Sequence, residues 1–189
     1  MKHKLAIIAL LLFTSSSFAQ NTTDTFGEGD HVIGLGLGVG GVYGFSGYDT
    51  QTPAFGIHYD YGFKELSMGG VIGLGGYLGH KGYDYDIVLP NGKYYDKWSI
   101  TILGARGSFH YDLLKVDNLD TYGGAMLAFH ILNSKNNLPN GYVYNRTYSS
   151  ALYASLFAGM KYYFTDNIGA FLELGYGVSW ATVGASFKF

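Results

Sequence analysis

From Ala54 to Phe63 the chain alternates without a break. Phe55, Ile57, Tyr59, Tyr61 and Phe63 share one face, and Gly56, His58, Asp60 and Gly62 share the other. A two-residue period is that of a β-strand, whose successive side chains point to opposite sides. The period recurs over about His31 to Gly41, Leu66 to Gly79, Trp98 to Tyr111, Leu119 to Leu132, Ser149 to Phe164 and Ile168 to Gly177. It ends the chain, where Val183, Ala185, Phe187 and Phe189 oppose Thr182, Gly184, Ser186 and Lys188. In the first of these stretches Ile33, Leu35, Leu37 and Val39 alternate with glycines, each of which would cost a helix about 1 kcal/mol. A bilayer crossing needs about 9–11 residues of tilted strand. The pattern therefore predicts an all-β fold, an eight-stranded antiparallel up-and-down transmembrane β-barrel. An apolar last strand left as a free edge would aggregate, so it is expected to close the ring against Ile33 to Val39.

In this reading the apolar faces look outward to lipid and the polar faces inward, the reverse of a soluble ligand-carrying barrel. The stretch from Leu119 to Leu132 leaves its facing open, because Ala125, Leu127, Phe129 and Ile131 oppose the almost equally apolar set Tyr122, Gly124, Met126 and His130. Short turns after the second, fourth and sixth strands alternate with long connections at about Val42 to Pro53, His80 to Lys97 and Asn133 to Tyr148. The last connection, near Val178 to Trp180, is almost absent. Short periplasmic turns and long outer loops are the barrel pattern. Composition agrees: 29 Gly with 18 Tyr and 13 Phe but only 3 Pro fit neither collagen nor a disordered chain.

Residues 1–19 read as a signal peptide, with Lys2 and Lys4, an apolar run from Leu5 to Phe13, and Ser17-Phe18-Ala19 as the cleavage site. Residues 20–29 form a polar periplasmic lead, and residues 30–189 the barrel domain. Losing Lys2 and Lys4 with residues 1–19 takes the formal charge from −2 to −4. With no basic run, nucleic acid is not an expected partner. The absence of Cys excludes disulfides and thiolate metal sites.

Met160 to Asn167, Gly169 to Gly177 and the final Phe187-Lys188-Phe189 resemble the outer-membrane β-barrel domain family of Gram-negative bacteria, with OmpA/OmpX-like eight-stranded barrels as relatives. Leu103-Gly104-Ala105-Arg106-Gly107-Ser108 is similar to a mid-barrel strand of that family. The resemblance implies a monomer in the outer membrane, in contact with lipid and lipopolysaccharide. It also implies that Phe187 and Phe189 form a C-terminal signal read by the barrel-assembly machinery. Fold and address follow from such a likeness far better than activity does.

Inside a small barrel, ionisable side chains must pair or stay hydrated. His58, Asp60, Arg106, His110, His130, Lys161, Glu173 and Lys188 are placed there. If the turn after the sixth strand sets Gly159 opposite Glu173, Lys161 lies diagonal to Glu173. The expected lumen network is an ionic plug centred on Glu173, with Lys161, Arg106 and Lys188 as partners and Asp60, His58 and His110 nearby.

No catalytic, cofactor or metal residue is assigned. Gly36-x-Gly38-x-x-Gly41 lacks the helix that a dinucleotide needs, and Asp84, Asp86 and Asp96 lack a diagnostic Ca²⁺ spacing. Ser108 and His110 share an inner face with no evident acid beside them. Tyr83, Tyr85, Tyr94, Tyr95, Tyr142 and Tyr144 are expected as surface loop aromatics. The favoured role is structural or adhesive through the long loops, with a narrow gated pore as the alternative and a lipid-A-modifying enzyme as a third class.

Overall fold

A computed structural model describes residues 25–40, 50–89, 92–137, 149–175 and 177–189. The signal-peptide reading, most of the first long connection, Tyr142 and Tyr144 lie outside these residues. The strands are β1 His31–Val39, β2 Thr50–Gln51, β3 Ala54–Glu65, β4 Val71–Leu89, β5 Gly92–His110, β6 Leu119–Asn136, β7 Ala151–Tyr163, β8 Ile168–Gly175 and β9 Ala181–Lys188. Every pairing is antiparallel, and all but the two-residue β2 form a closed eight-stranded ring. Closure runs through β1, where Leu35 faces Ile57 of β3 on one side and Ala185 of β9 on the other. The last residue joins this ladder: Phe189 N donates to His31 O at 2.9 Å, and the two rings stack.

The alternation of the sequence sets the two faces. On β1, Val32, Gly34 and Gly36 are buried while Leu35, Leu37 and Val39 are exposed. The facing of β6, open from its sequence, is settled by Tyr122, Met126, Ala128 and His130, which are buried, against Leu127, Phe129 and Ile131, which are exposed. Inner glycines make room for large partners. A Cβ on Gly34 would overlap the His58 ring, and one on Gly36 would sit 2.7 Å from the Phe171 ring.

One connection differs from expectation. The stretch from His80 to Lys97 is not a loop: β4 and β5 are each 19 residues long and stay paired up to Leu89 and Gly92. That is far more than a bilayer crossing requires. The cause is legible in Tyr83-Asp84-Tyr85-Asp86, an alternation that continues the strand period outward. The short connection between β8 and β9 turns over the mouth of the barrel. Val178 and Ser179 are buried there, and Val178 N donates to the Tyr77 hydroxyl at 3.2 Å.

Candidate functional site

Five strands send polar side chains to the middle of the lumen. β3 supplies His58 and Asp60, β5 Arg106, β6 Tyr122, β7 Lys161, and β8 Glu173. Asp60 and Lys161 are completely buried, and Lys161 Nζ donates to Asp60 Oδ2 at 3.0 Å. Arg106 lies between the two carboxylates. Its Nε is 3.1 Å from Asp60 Oδ1, and its two terminal nitrogens donate to Glu173 Oε1 and Oε2 at 3.4 and 2.7 Å. Tyr122 donates its hydroxyl to Glu173 Oε2 at 3.0 Å. Two cations thus neutralise two carboxylates in a continuous chain from Lys161 to Tyr122, which meets the requirement that buried charges be paired.

Rings close the space around this chain. The Arg106 guanidinium lies 3.9 Å from the centre of the Phe157 ring, and Lys161 Nζ lies 4.4 Å from that of Tyr122. Such cation–π contacts favour a desolvated cation. His58 packs edge-on against Phe171. Between this layer and the outer mouth, a cavity bounded by Tyr77, Arg106, Glu173 and Ser179 measures only about 10 Å³, about the smallest space that holds one water.

The centre of the network is therefore Asp60 together with Arg106, rather than Glu173. The register on β7 and β8 is the expected one, with Gly159 opposite Glu173 and Lys161 opposite Phe171. Lys161 nevertheless crosses the lumen to Asp60, because Arg106 and Tyr122 already occupy the Glu173 oxygens. Lys188 is not a partner of Glu173. Its Nζ is 3.7 Å from Asp30 Oδ2 and 3.5 Å from Thr25 O, at the end where the short turns lie.

At that same end, Ser108, His110 and Asp120 form a hydrogen-bonded relay that the sequence did not reveal. The Ser108 hydroxyl is 2.9 Å from His110 Nε2, and His110 Nδ1 is 2.8 Å from Asp120 Oδ2. The β5–β6 hairpin brings Asp120 to His110 across the turn. The order of contacts is that of a serine-hydrolase triad. All three side chains are buried, however, and Phe26 stacks on the imidazole at 3.9 Å between ring centroids. Phe26 belongs to a segment tied across this mouth, with Gly29 N donating to Gly62 O and Glu65 N to Glu28. So placed, the relay packs the base of the barrel and presents no open nucleophile.

The long β4–β5 hairpin forms the other candidate site. Tyr83 is only 2 % exposed, which corrects its expected place as a surface aromatic. It faces the continuation of the lumen beside Trp98, its partner in the ladder, with Lys81 Nζ 5.0 Å from its ring. Tyr85 and Tyr94 are half-buried, and Tyr95 is exposed under Lys97. The hairpin's carboxylates are engaged separately: Asp96 accepts from Trp98 Nε1 at 2.9 Å, and Asp84 pairs with Lys97 at 3.2 Å. Among the described residues no three His, Cys, Asp or Glu gather to hold a metal.

The chain has the fold of solved outer-membrane barrels. It aligns with OprG of Pseudomonas aeruginosa at a TM-score of 0.57 and 13 % identity, over 86 % of this chain and 97 % of that one. The attachment invasion locus protein Ail of Yersinia pestis, in complex with the heparin analogue sucrose octasulfate, gives 0.49 at 15 % identity, over 86 % and 99 %. The N-terminal β-barrel domain of Pseudomonas aeruginosa OprF gives 0.44 at 22 %, over 87 % and 100 %. No family model and no curated protein matches the sequence.

Proposed function

We propose that the chain is an integral outer-membrane protein of a Gram-negative bacterium, with a sealed lumen and a surface-interaction role carried by the β4–β5 hairpin. Membrane residence is supported by the outer wall. Leu37, Leu103, Leu127, Leu152, Leu156, Leu174 and Val183 are each more than half exposed and come from six different strands. Soluble monomers rarely expose apolar patches beyond about 300–600 Å². The short turns then lie in the periplasm and the hairpin stands outside the cell.

The observation that carries the reading is the contrast between the two ends of β4 and β5. Inside, Arg106 is locked between Asp60 and Glu173. Outside, the same hairpin runs well past the wall and offers Tyr95, Lys97 and Asp84 to solvent. A pore would need a path through the ionic layer, and a lipid-modifying enzyme would need an open nucleophile. The test is to replace Asp84–Lys97 by a two-residue Asn-Gly turn, so that Tyr83 and Trp98 remain the last ladder pair. Heat-modifiability on a gel checks that the shortened protein still forms a barrel. Bacteria carrying it should lose adherence to host-cell or matrix surfaces that the full protein confers; undiminished adherence would count against the hairpin.

A further inference from the structure

We infer that the outer wall holds one phospholipid of the periplasmic leaflet, its acyl chain seated in a trough along Gly123 and Ala158; this rests on the membrane reading above. The trough comes from residue size in one ladder row. Phe109, Gly123, Ala158 and Leu174 are successive outward neighbours on β5, β6, β7 and β8, so two small residues lie between two large ones. Directly below, Tyr111 and Leu172 prolong the two walls, and the cavity measures about 520 Å³. That is within the roughly 300–1,000 Å³ of small-molecule sites. The floor is open: a Cβ on Gly123 would meet nothing closer than Phe157 O at 3.6 Å.

A second feature points to the occupant. The β5–β6 turn, Tyr111 to Asn118, contains Leu113, Leu114 and Val116, exposed by 70 %, 54 % and 48 %. Three bare apolar residues in a turn surrounded by water would be unfavourable. Leu113 and Leu114 instead line the lower end of the trough. The turn is held in this position, since Leu113 N donates to Tyr111 O at 2.8 Å and Lys115 N to Asp112 Oδ1 at 2.7 Å. Lys115, flanked in sequence by Asp112 and Asp117, brings both signs of charge to headgroup level, which suits a zwitterionic head. The trough opens at the periplasmic rim, where the leaflet is phospholipid rather than lipopolysaccharide. Its concavity fits a flexible acyl chain better than it fits the convex outside of a second barrel.

The test uses the whole protein, shown to be a membrane barrel by heat-modifiability before and after detergent exchange. Failure there overturns the membrane reading itself. For a protein that passes, native mass spectrometry after delipidation and titration with palmitoyl-oleoyl phosphatidylethanolamine should show one saturable bound lipid. Ala158→Phe and Gly123→Val, which fill the floor, should each weaken it at least tenfold, whereas Leu35→Phe on β1, across the barrel, should not. Equal binding by the filled variants would overturn the proposal. So would preference for lipid A, or a dimer that the filled variants abolish.

Discussion

Lys161 Nζ stands 3.0 Å from Asp60 Oδ2, with both side chains wholly removed from solvent and 101 residues apart in sequence. The Coulomb attraction of such a pair offsets a large desolvation cost, so the pair is worth less than the penalty for breaking it. Asp60→Asn should therefore destabilise the barrel by about 3–5 kcal/mol, since Lys161 loses its counter-ion and Arg106 one of two. Adding Lys161→Met should restore part of the loss, with a coupling of roughly 0.5–3 kcal/mol. Urea unfolding of the four proteins in detergent micelles measures both quantities, and strictly additive losses would show that the two residues do not act together.

Glu173 faces a narrower prediction. Its removal frees one side of Arg106, but Asp60 still holds the Nε side and Phe157 still covers the guanidinium. Glu173→Ala should thus conduct no more than the parent protein in a planar bilayer. A steady rise in conductance would mean that Arg106 and Glu173 gate a path rather than fill one.

The hairpin separates two tyrosines that look alike in sequence. Tyr83 is buried and Tyr95 is exposed. Truncating a buried aromatic costs about 3–5 kcal/mol, while exposed positions usually change stability by less than about 0.5 kcal/mol. Tyr83→Ala should speed amide exchange along Tyr83 to Trp98, and Tyr95→Ala should leave exchange unchanged while weakening any adhesion. Indistinguishable exchange in the two variants would argue that the Tyr83 environment is not a core.

What the sequence discloses here follows the range of the forces involved. Alternation at Phe55 to Phe63 reports which side of one strand faces out of the barrel, and the pairing of Ile33 with Phe187 follows once an apolar last strand needs a neighbour. Ladder register is also local, so Gly159 opposite Glu173 was within reach. Contacts across the lumen are not local. Whether Lys161 meets Glu173 or Asp60 depends on barrel width and on which oxygens Arg106 and Tyr122 have already taken. The contact of Asp120 is hidden for a similar reason: it lies beyond the turn, and only the β5–β6 hairpin returns it to His110. The length of β4 was legible in principle, but the Asp residues at 84 and 86 read as loop polarity instead of the solvent face of a strand.

The Ser108, His110 and Asp120 relay provides the last prediction. A hydrolase serine needs its base oriented, a donor pair for the oxyanion, and room for an ester carbonyl near the hydroxyl. Here the first condition is met, but Ser108 is buried and Phe26 covers the imidazole face. A fluorophosphonate probe should therefore leave Ser108 unlabelled in the folded protein. The hydrogen bond still has structural worth, so Ser108→Ala should cost about 0.5–1.5 kcal/mol in urea unfolding. Phe26→Ala is the informative companion, because it uncovers His110 without touching the relay. If Phe26 only packs, the variant stays unlabelled and is merely less stable. Labelling in the parent protein would overturn the structural reading of the relay outright.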